Sequence, residues 1–300
     1  MSTLSEHHRP VVVGIDGSAA AVQAVRWAAK EAAARKLPLR LVHVHPDPAV
    51  RYADDKIADA MRPALETQAK KWLNEAAGVA PEAVSELEPQ VELRAGAVVQ
   101  TLVDMSADAA MIVLGARGLG GFTGMLVGTT ANSVVAGAMC PVVVVRTAPL
   151  GPSRTGGPIV VGVDGSPASE AAIKFAFEEA SLRGCALIAL HTWTEIFIDP
   201  ELNVDRIAFD TTVLEQRERE LLSQRLAGWP EKYPDVQVTR VVKQDRPVRA
   251  LLDYDEEAQL LVVGSRGLGG YHGMLLGSTS QALMHYTQTP LVVVRPEDTP

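Results

Sequence analysis

The chain is written twice, and that duplication constrains its fold more than any other feature. Gly14-Ile15-Asp16-Gly17-Ser18 lies on Gly162-Val163-Asp164-Gly165-Ser166, and Leu41–His43 on Ala189–His191, at a constant offset of 148 residues. After one inserted residue the offset becomes 149, and Gly115–Arg146 then matches Gly264–Arg295 at 16 of 32 positions. A repeat of 20 to 50 residues would signal a solenoid, whereas a period this long equals one ordinary domain. Two homologous domains are expected, at 1–147 and 159–300, joined by a linker at 148–158 whose Pro and Gly content cannot continue a strand or helix. At 300 residues and 47% hydrophobic content the chain can fill two cores.

Within each half the hydrophobic periodicity alternates. Val11–Ile15 is a short continuous apolar run of the kind found in strands buried on both faces. Ser18 can cap the helix that follows, where Val22, Val25, Ala29 and Ala32 recur at helical spacing up to Lys36; the second copy offers Ser166 as cap and Pro167 at the first helical position. Next come a strand at Leu39–Val44, a polar helical stretch over 57–77, a strand at Val91–Leu93, a helix over 98–107, a strand at Ala110–Leu114, a Gly-rich loop, a helix after Gly128 and a strand at Val142–Arg146. The second half repeats the order, with its third strand at Val236–Val242. Alternating strands and helices imply right-handed crossovers, so the predicted class is α/β: two tandem doubly wound domains, each with a five-stranded parallel sheet.

Such sheets bind ligands beyond the carboxyl ends of their strands, where strand order reverses. Asp16 and Asp164 end the first strand of each half, with Gly14 and Gly162 two residues before them, and Gly115 and Gly264 end the fourth. If the first and fourth strands flank the switch point, the aspartate and the Gly-rich loop share one crevice. That loop reads Gly115-Ala-Arg117-Gly118, nine residues, Gly128-Thr129-Thr130, and again Gly264-Ser-Arg266-Gly267, nine residues, Gly277-Ser278-Thr279. Glycines let backbone N–H groups approach an anion, and a helix starting after Gly128 aims its free N–H groups and its dipole at that anion. The pattern predicts a phosphate cradle. It is not a P-loop, because no Lys precedes Thr129 or Ser278, and Gly118-Leu-Gly120-Gly-Phe-Thr-Gly124 has the wrong third spacing for a dinucleotide fingerprint.

These motifs together, Gly-x2-Gly-x9-Gly-[Ser/Thr], an Asp closing the first strand and a Val-rich fifth strand, resemble the universal stress proteins of the UspA type, and the tandem arrangement is similar to the mycobacterial two-domain members. The resemblance implies a Rossmann-like, adenine nucleotide alpha hydrolase-like fold in the ATP-binding branch of the family. It places adenine on the backbone of Val44 and Thr192, ribose on Asp16 with Gly115 and on Asp164 with Gly264, and phosphates on Gly118, Gly128, Thr129 and Thr130 and on Gly267, Gly277, Ser278 and Thr279. The implied cofactor is ATP, with or without magnesium, and the implied role is nucleotide-responsive stress response or growth regulation. Cyclic AMP as the ligand, a synthetase- or ligase-like enzyme and an interaction module with a vestigial loop stay open as alternatives. The loop has no Lys and no evident general base, so at most slow ATP hydrolysis is expected.

Other residues carry plainer readings. Arg117 and Arg266 suit either phosphate contact or solvent. The aspartates could simply shape a turn, and the Gly-rich stretch could be a surface loop, although both recur at fixed spacing. Glu195, and Asp47 at a different offset, lie where they could reach a ligand. His43 and His191 sit among apolar residues and are expected in the core, Trp27, Trp72, Trp193 and Trp229 are expected to pack, and His7 and His8 read as tail. Thr289 replaces Cys140 in the second copy, which excludes a redox role common to both domains, and two cysteines are too few for a disulfide scaffold. No metal site is expected from protein ligands alone. A net charge of −8 disfavours nucleic acid as a partner, and the apolar runs are far too short to span a membrane. A cytoplasmic location is the expectation. The fifth strands, Val142–Val145 and Leu291–Val294, are apolar sheet edges, expected to pair the two domains within one chain and to leave a homodimer open.

Overall fold

A computed structural model of the chain describes residues 9–46, 55–118, 127–147, 156–194, 211–269 and 275–296. His7, His8, Asp47, Glu195, the middle of each Gly-rich loop and linker residues 148–155 lie outside them. The first half runs β1 (Val11–Gly14), α1 (Ala19–Arg35), β2 (Leu39–His45), α2 (Asp55–Ala83), β3 (Gln90–Ala95), α3 (Val98–Met105), β4 (Met111–Gly115), α4 (Thr129–Gly137) and β5 (Val142–Val145). The second half runs β6 (Ile159–Val163), α5 (Pro167–Arg183), β7 (Leu187–Trp193), α6 (Thr211–Arg225), α7 (Trp229–Lys232), β8 (Val238–Gln244), α8 (Pro247–Leu252), β9 (Leu260–Gly264), α9 (Ser278–Tyr286) and β10 (Leu291–Val294).

Ten strands form one sheet in the order β3-β2-β1-β4-β5-β10-β9-β6-β7-β8. Pairing is parallel within each half, and the halves meet through antiparallel β5 and β10, with Leu291 opposite Val144 and Val293 opposite Val142. The two apolar edges thus cover each other. The outer edges left over are β3 and β8, which carry charged residues such as Glu92, Arg94, Arg240 and Lys243, a composition that discourages further strand addition. Strand order reverses between β1 and β4, and again between β6 and β9, so each half keeps its own switch point.

Burial explains the elements. Val11, Val12 and Val13 are covered on both sheet faces, one face by α1 and α2 and the other by α3 and α4. Helix α1 is rich in alanine because it lies close to the sheet, with Ala24, Ala28, Ala29 and Ala32 fully buried. The polar helix is longer than its periodicity predicts. It continues through Gly78 and Pro81 to Ala83 because Leu73, Ala76, Val79 and Ala80 are buried against the core, and that burial outweighs local propensity. The third strand of the second half begins two residues later than expected; Val236 is buried ahead of the ladder, which starts at Leu187 opposite Val238.

The halves are also joined by charge. Glu31 and Arg35 of α1 meet Glu179 and Arg183 of α5 in a closed quartet: Arg35 pairs with both glutamates, and Arg183 lies 2.6 Å from Glu31 and 2.7 Å from Glu179. The glutamates are 2% and 0% exposed, so the pairing replaces water entirely. Each guanidinium also covers the other half's aromatic ring, Arg35 on Phe175 and Arg183 on Trp27. All three pairs of counterparts are 148 residues apart, so the quartet has the two-fold symmetry of the duplication. On the other sheet face buried Arg146 donates to the carbonyls of Met284 and His285 at the end of α9.

Burial, and next the neighbouring Glu179 carboxylate, push the Glu31 carboxyl up to about 7. Burial also pushes Glu179 upward, but the hydrogen bond from Glu31 and the charges of Arg183 and Arg35 outweigh it and hold Glu179 below the usual range. The pair therefore keeps one proton to near neutrality. A carboxyl raised in this way contributes stability that is complete below its unfolded value of 4.5 and is lost as pH rises through about 7. Glu31→Gln mimics the protonated form, so wild type should lose ~3 kcal/mol relative to this variant between about pH 5 and 8, measured by denaturant unfolding. Arg183→Ala should cost about 3–5 kcal/mol above pH 7, where both buried carboxylates are ionised and only Arg35 is left to compensate them. A flat difference curve for Glu31→Gln would contradict the shared-proton arrangement.

Candidate functional site

Each half builds its site from the turn after its first strand. Gly17 adopts φ 82°, and the turn closes by the Ser18 N–H donating to Asp16 Oδ1 at 3.0 Å. The Ser18 hydroxyl accepts from Ala21 N to cap α1 and donates to the Arg117 carbonyl at 3.1 Å, tying the turn to the Gly-rich loop 99 residues away. The second half repeats every contact: Gly165 at φ 82°, Ser166 N–H to Asp164 Oδ1 at 2.9 Å, Ser169 N–H to Ser166 Oγ and Ser166 Oγ to the Arg266 carbonyl at 3.1 Å. The turn-shaping and ligand-facing readings of the aspartates are therefore compatible. Oδ1 holds the turn, while Oδ2 faces the loop and in the second half accepts from Leu268 N–H.

The glycines divide by physical cause. A Cβ on Gly14 would lie 2.6 Å from Leu114, and one on Gly115 or Gly264 would lie 2.7 Å from the α1 or α5 backbone, so these three serve close packing. Gly118 and Gly267 have no left-handed φ; they are glycines because a Cβ would collide with Asp16 or Asp164. Gly128 is different. It has φ −70° and ψ 147°, accessible to any residue, and among the described residues a Cβ would stand 3.6 Å from its nearest neighbour, the Ala116 carbonyl. Packing among the described residues would meet a Cβ there only at ordinary contact distance, whereas one on Gly277 would lie 3.3 Å from Arg266 Cα, so the second half holds its cap glycine more tightly. Gly128 and Gly277 are also N-caps without a side-chain hydrogen bond, so the cap residues supply no side chain to the first N–H groups of α4 and α9.

The residues singled out in the sequence converge. A cavity of about 540 Å³ in the first half is lined by Gly14, Asp16, Val44, Gly115, Arg117, Gly118, Gly128, Thr129 and Thr130. A cavity of about 480 Å³ in the second is lined by Gly162, Asp164, Thr192, Gly264, Arg266, Gly267, Gly277, Ser278 and Thr279. Both lie beyond the carboxyl ends of the strands beside the switch point, and both have the size of a small-molecule site. Among the described residues there is no cluster of three His, Cys, Asp or Glu that could hold a metal ion, and no helix is long and apolar enough to cross a membrane.

Some lining residues were not anticipated. Trp72, read as packing, is also a wall of the first cavity, covering Gly17 with its ring 5.4 Å from His43. Its helical spacing with Ala69 and Ala76 signals burial but not that the ring reaches a cavity. His43 is buried as expected, donates from Nδ1 to the Ile15 carbonyl at 2.7 Å and also borders the cavity. Burial first, and the His45 charge with it, hold its pKa below the ordinary value, so it is neutral. His191 makes the same Nδ1 bond to Val163 but spends Nε2 on Glu218 at 2.9 Å. In the second cavity Asp245, Pro247 and Thr194 were missed, because the first half has Gly96, Val98 and Pro46 at the corresponding places.

The universal stress protein family model matches residues 7–146 and again 157–295. The chain is 39% identical over 289 residues to a universal stress protein of Mycobacterium tuberculosis, covering 95% of this chain and 96% of that one. It is 40% identical over 291 residues to one from Mycolicibacterium smegmatis, covering 95% and 97%. A solved universal stress protein from Archaeoglobus fulgidus superposes with a TM-score of 0.68 at 21% identity over 96% of this chain and 97% of that one, a likeness of fold. Both halves carry the family's domain across nearly the whole length, and the chain belongs to the universal stress protein family as a tandem, two-domain member.

Proposed function

We propose that the chain binds adenine nucleotide, with ATP as the principal ligand, at one site in each half, and that occupancy of these sites is the signal it contributes to stress response. The observation that carries this reading, for the first site, is Gly128: no described residue would clash with a side chain there, and its absence leaves the N-terminus of α4, without a side-chain cap, accessible to an anion. Asp16, whose Oδ2 lies against Gly118 in the cavity wall, offers a carboxylate to hydroxyl donors such as those of ribose, or to a magnesium ion carried in with the phosphates. Among the described residues, the groups at the phosphate end are backbone N–H, the hydroxyls of Thr129 and Thr130, and Arg117. These bind and orient phosphate but provide no base for an attacking water, so turnover should be slow.

Mass spectrometry of the ligand released from freshly purified full-length protein should identify an adenine nucleotide. Cyclic AMP in place of ATP would correct the ligand, and an empty protein that also fails to take up either would end the reading. Gly128→Val should abolish binding at the first site, because the branch fills the space reserved for the anion, while the fold loses only about 1 kcal/mol from a poorer cap. Thr129→Ala should weaken binding about tenfold, the loss of one neutral hydrogen bond of about 0.5–1.5 kcal/mol. If the hydroxyl deletion were as severe as the valine, a backbone cradle could not be the main phosphate holder. Turnover measured with excess ATP should lie well below the ordinary enzyme range of roughly 1–1000 per second.

A further inference from the structure

The two cavities differ at the end remote from the phosphate-holding helix. In the second half that helix, α9, begins beside β9, and the sheet then continues through β6 and β7 to β8. Three strand spacings amount to roughly 14 Å, about the reach of a nucleotide from phosphate to base. The far end is floored by apolar Leu190 and Leu251, suited to a flat ring, and is bounded by Thr192, Thr194 and Asp245. Strands β7 and β8 pair with Thr192 opposite Lys243 and Trp193 opposite Gln244, so Asp245 follows β8 at the level where Thr194 follows β7. Its side chain is 16% exposed. The carboxylate is oriented by the Arg246 N–H on Oδ1 at 2.7 Å and by Arg249 Nε on Oδ2 at 3.0 Å. A carboxylate has about four lone-pair positions, so two bonds leave acceptor capacity on each oxygen.

In the first half the corresponding residue is Gly96, at φ 149°, with its N–H donating to the His45 carbonyl. It has no side chain to offer, and its backbone conformation disfavours one. We propose that Asp245 is a base-specificity residue of the second site, accepting a hydrogen bond from the exocyclic amine of a bound adenine. The inference rests on the nucleotide-binding reading. Guanine places a carbonyl oxygen where adenine has that amine, so the carboxylate would meet an acceptor and repel it. A purine without the exocyclic group leaves the ligand-facing lone pair of this largely covered carboxylate without its donor, and sites built around a polar ligand group reject analogues that lack it. The second site is then the adenine-selective one, and the first, lacking the carboxylate, is the more permissive.

The test uses full-length protein photolabelled with 2-azido-ATP, with the labelled peptides of each half mapped by mass spectrometry and ATP, GTP or purine riboside triphosphate as competitor. At the second site ATP should compete at least tenfold better than either analogue. Asp245→Gly, which installs the first half's residue, should bring that ratio down to the first site's value and leave first-site labelling unchanged. An unchanged ratio at a second site that still labels would overturn the inference. Labelling that ATP displaces at neither site of the wild-type protein would instead refute nucleotide binding itself, a separable result. Loss of first-site labelling in the variant would mark misfolding; Asp245→Ser, which keeps a polar group for the Arg246 amide, is then read by the same criteria.

Discussion

Each candidate site depends on a single serine hydroxyl. Ser18 Oγ accepts from the first turn of α1 and donates to the Arg117 carbonyl, and Ser166 repeats this with α5 and Arg266. One atom thereby fixes the start of a helix, the exit of the first strand and the position of the Gly-rich loop across the switch point. Asp16 follows from that placement: its Oδ1 closes the same turn, so Oδ2 has only the loop and the cavity to face. Gly118 is a consequence in turn, since any side chain there would occupy the carboxylate's position. Around the exit of the first strand, the described part of the site is built from backbone and short side chains held by these bonds.

The joint between the halves uses a different physics. An antiparallel β5–β10 ladder removes two sticky edges at once, and the Glu31, Arg35, Glu179 and Arg183 quartet locks α1 to α5 beside it. A buried quartet is costly to assemble and costlier to break in part, so it favours one register and one orientation over nearby alternatives. With α1 starting at one site's turn and α5 at the other's, the helices that carry the quartet at their ends carry the sites' serine caps at their beginnings.

Much of this was legible in the sequence because the duplication doubled each signal. Buried valine runs announced the parallel strands, and the recurring Asp-Gly-Ser and Gly-x2-Gly-x9-Gly patterns marked the residues that line the two cavities. The quartet was not legible. Glu31 and Arg35 stand four apart on an alanine-rich helix, the ordinary appearance of a solvent-facing ion pair, and only the pairing of the halves buries them. Asp245 escaped for the opposite reason: comparing copies draws attention to what they share, and this position is Gly96 in the other half. The causes of glycine were also hidden, because Gly118, Gly115 and Gly128 look alike in sequence while one avoids a carboxylate, one admits a helix and one meets no clash among the described residues.

The central claim is that both halves hold adenine nucleotide in equivalent backbone cradles. Isothermal titration of the full-length chain, stripped of any copurified ligand, with ATP tests it most directly. Two molecules of ATP bound per chain, falling to one in Gly128→Val with the fold intact, is the result expected. Failure of the stripped, folded chain to bind ATP, or an unchanged stoichiometry in that variant, would contradict it.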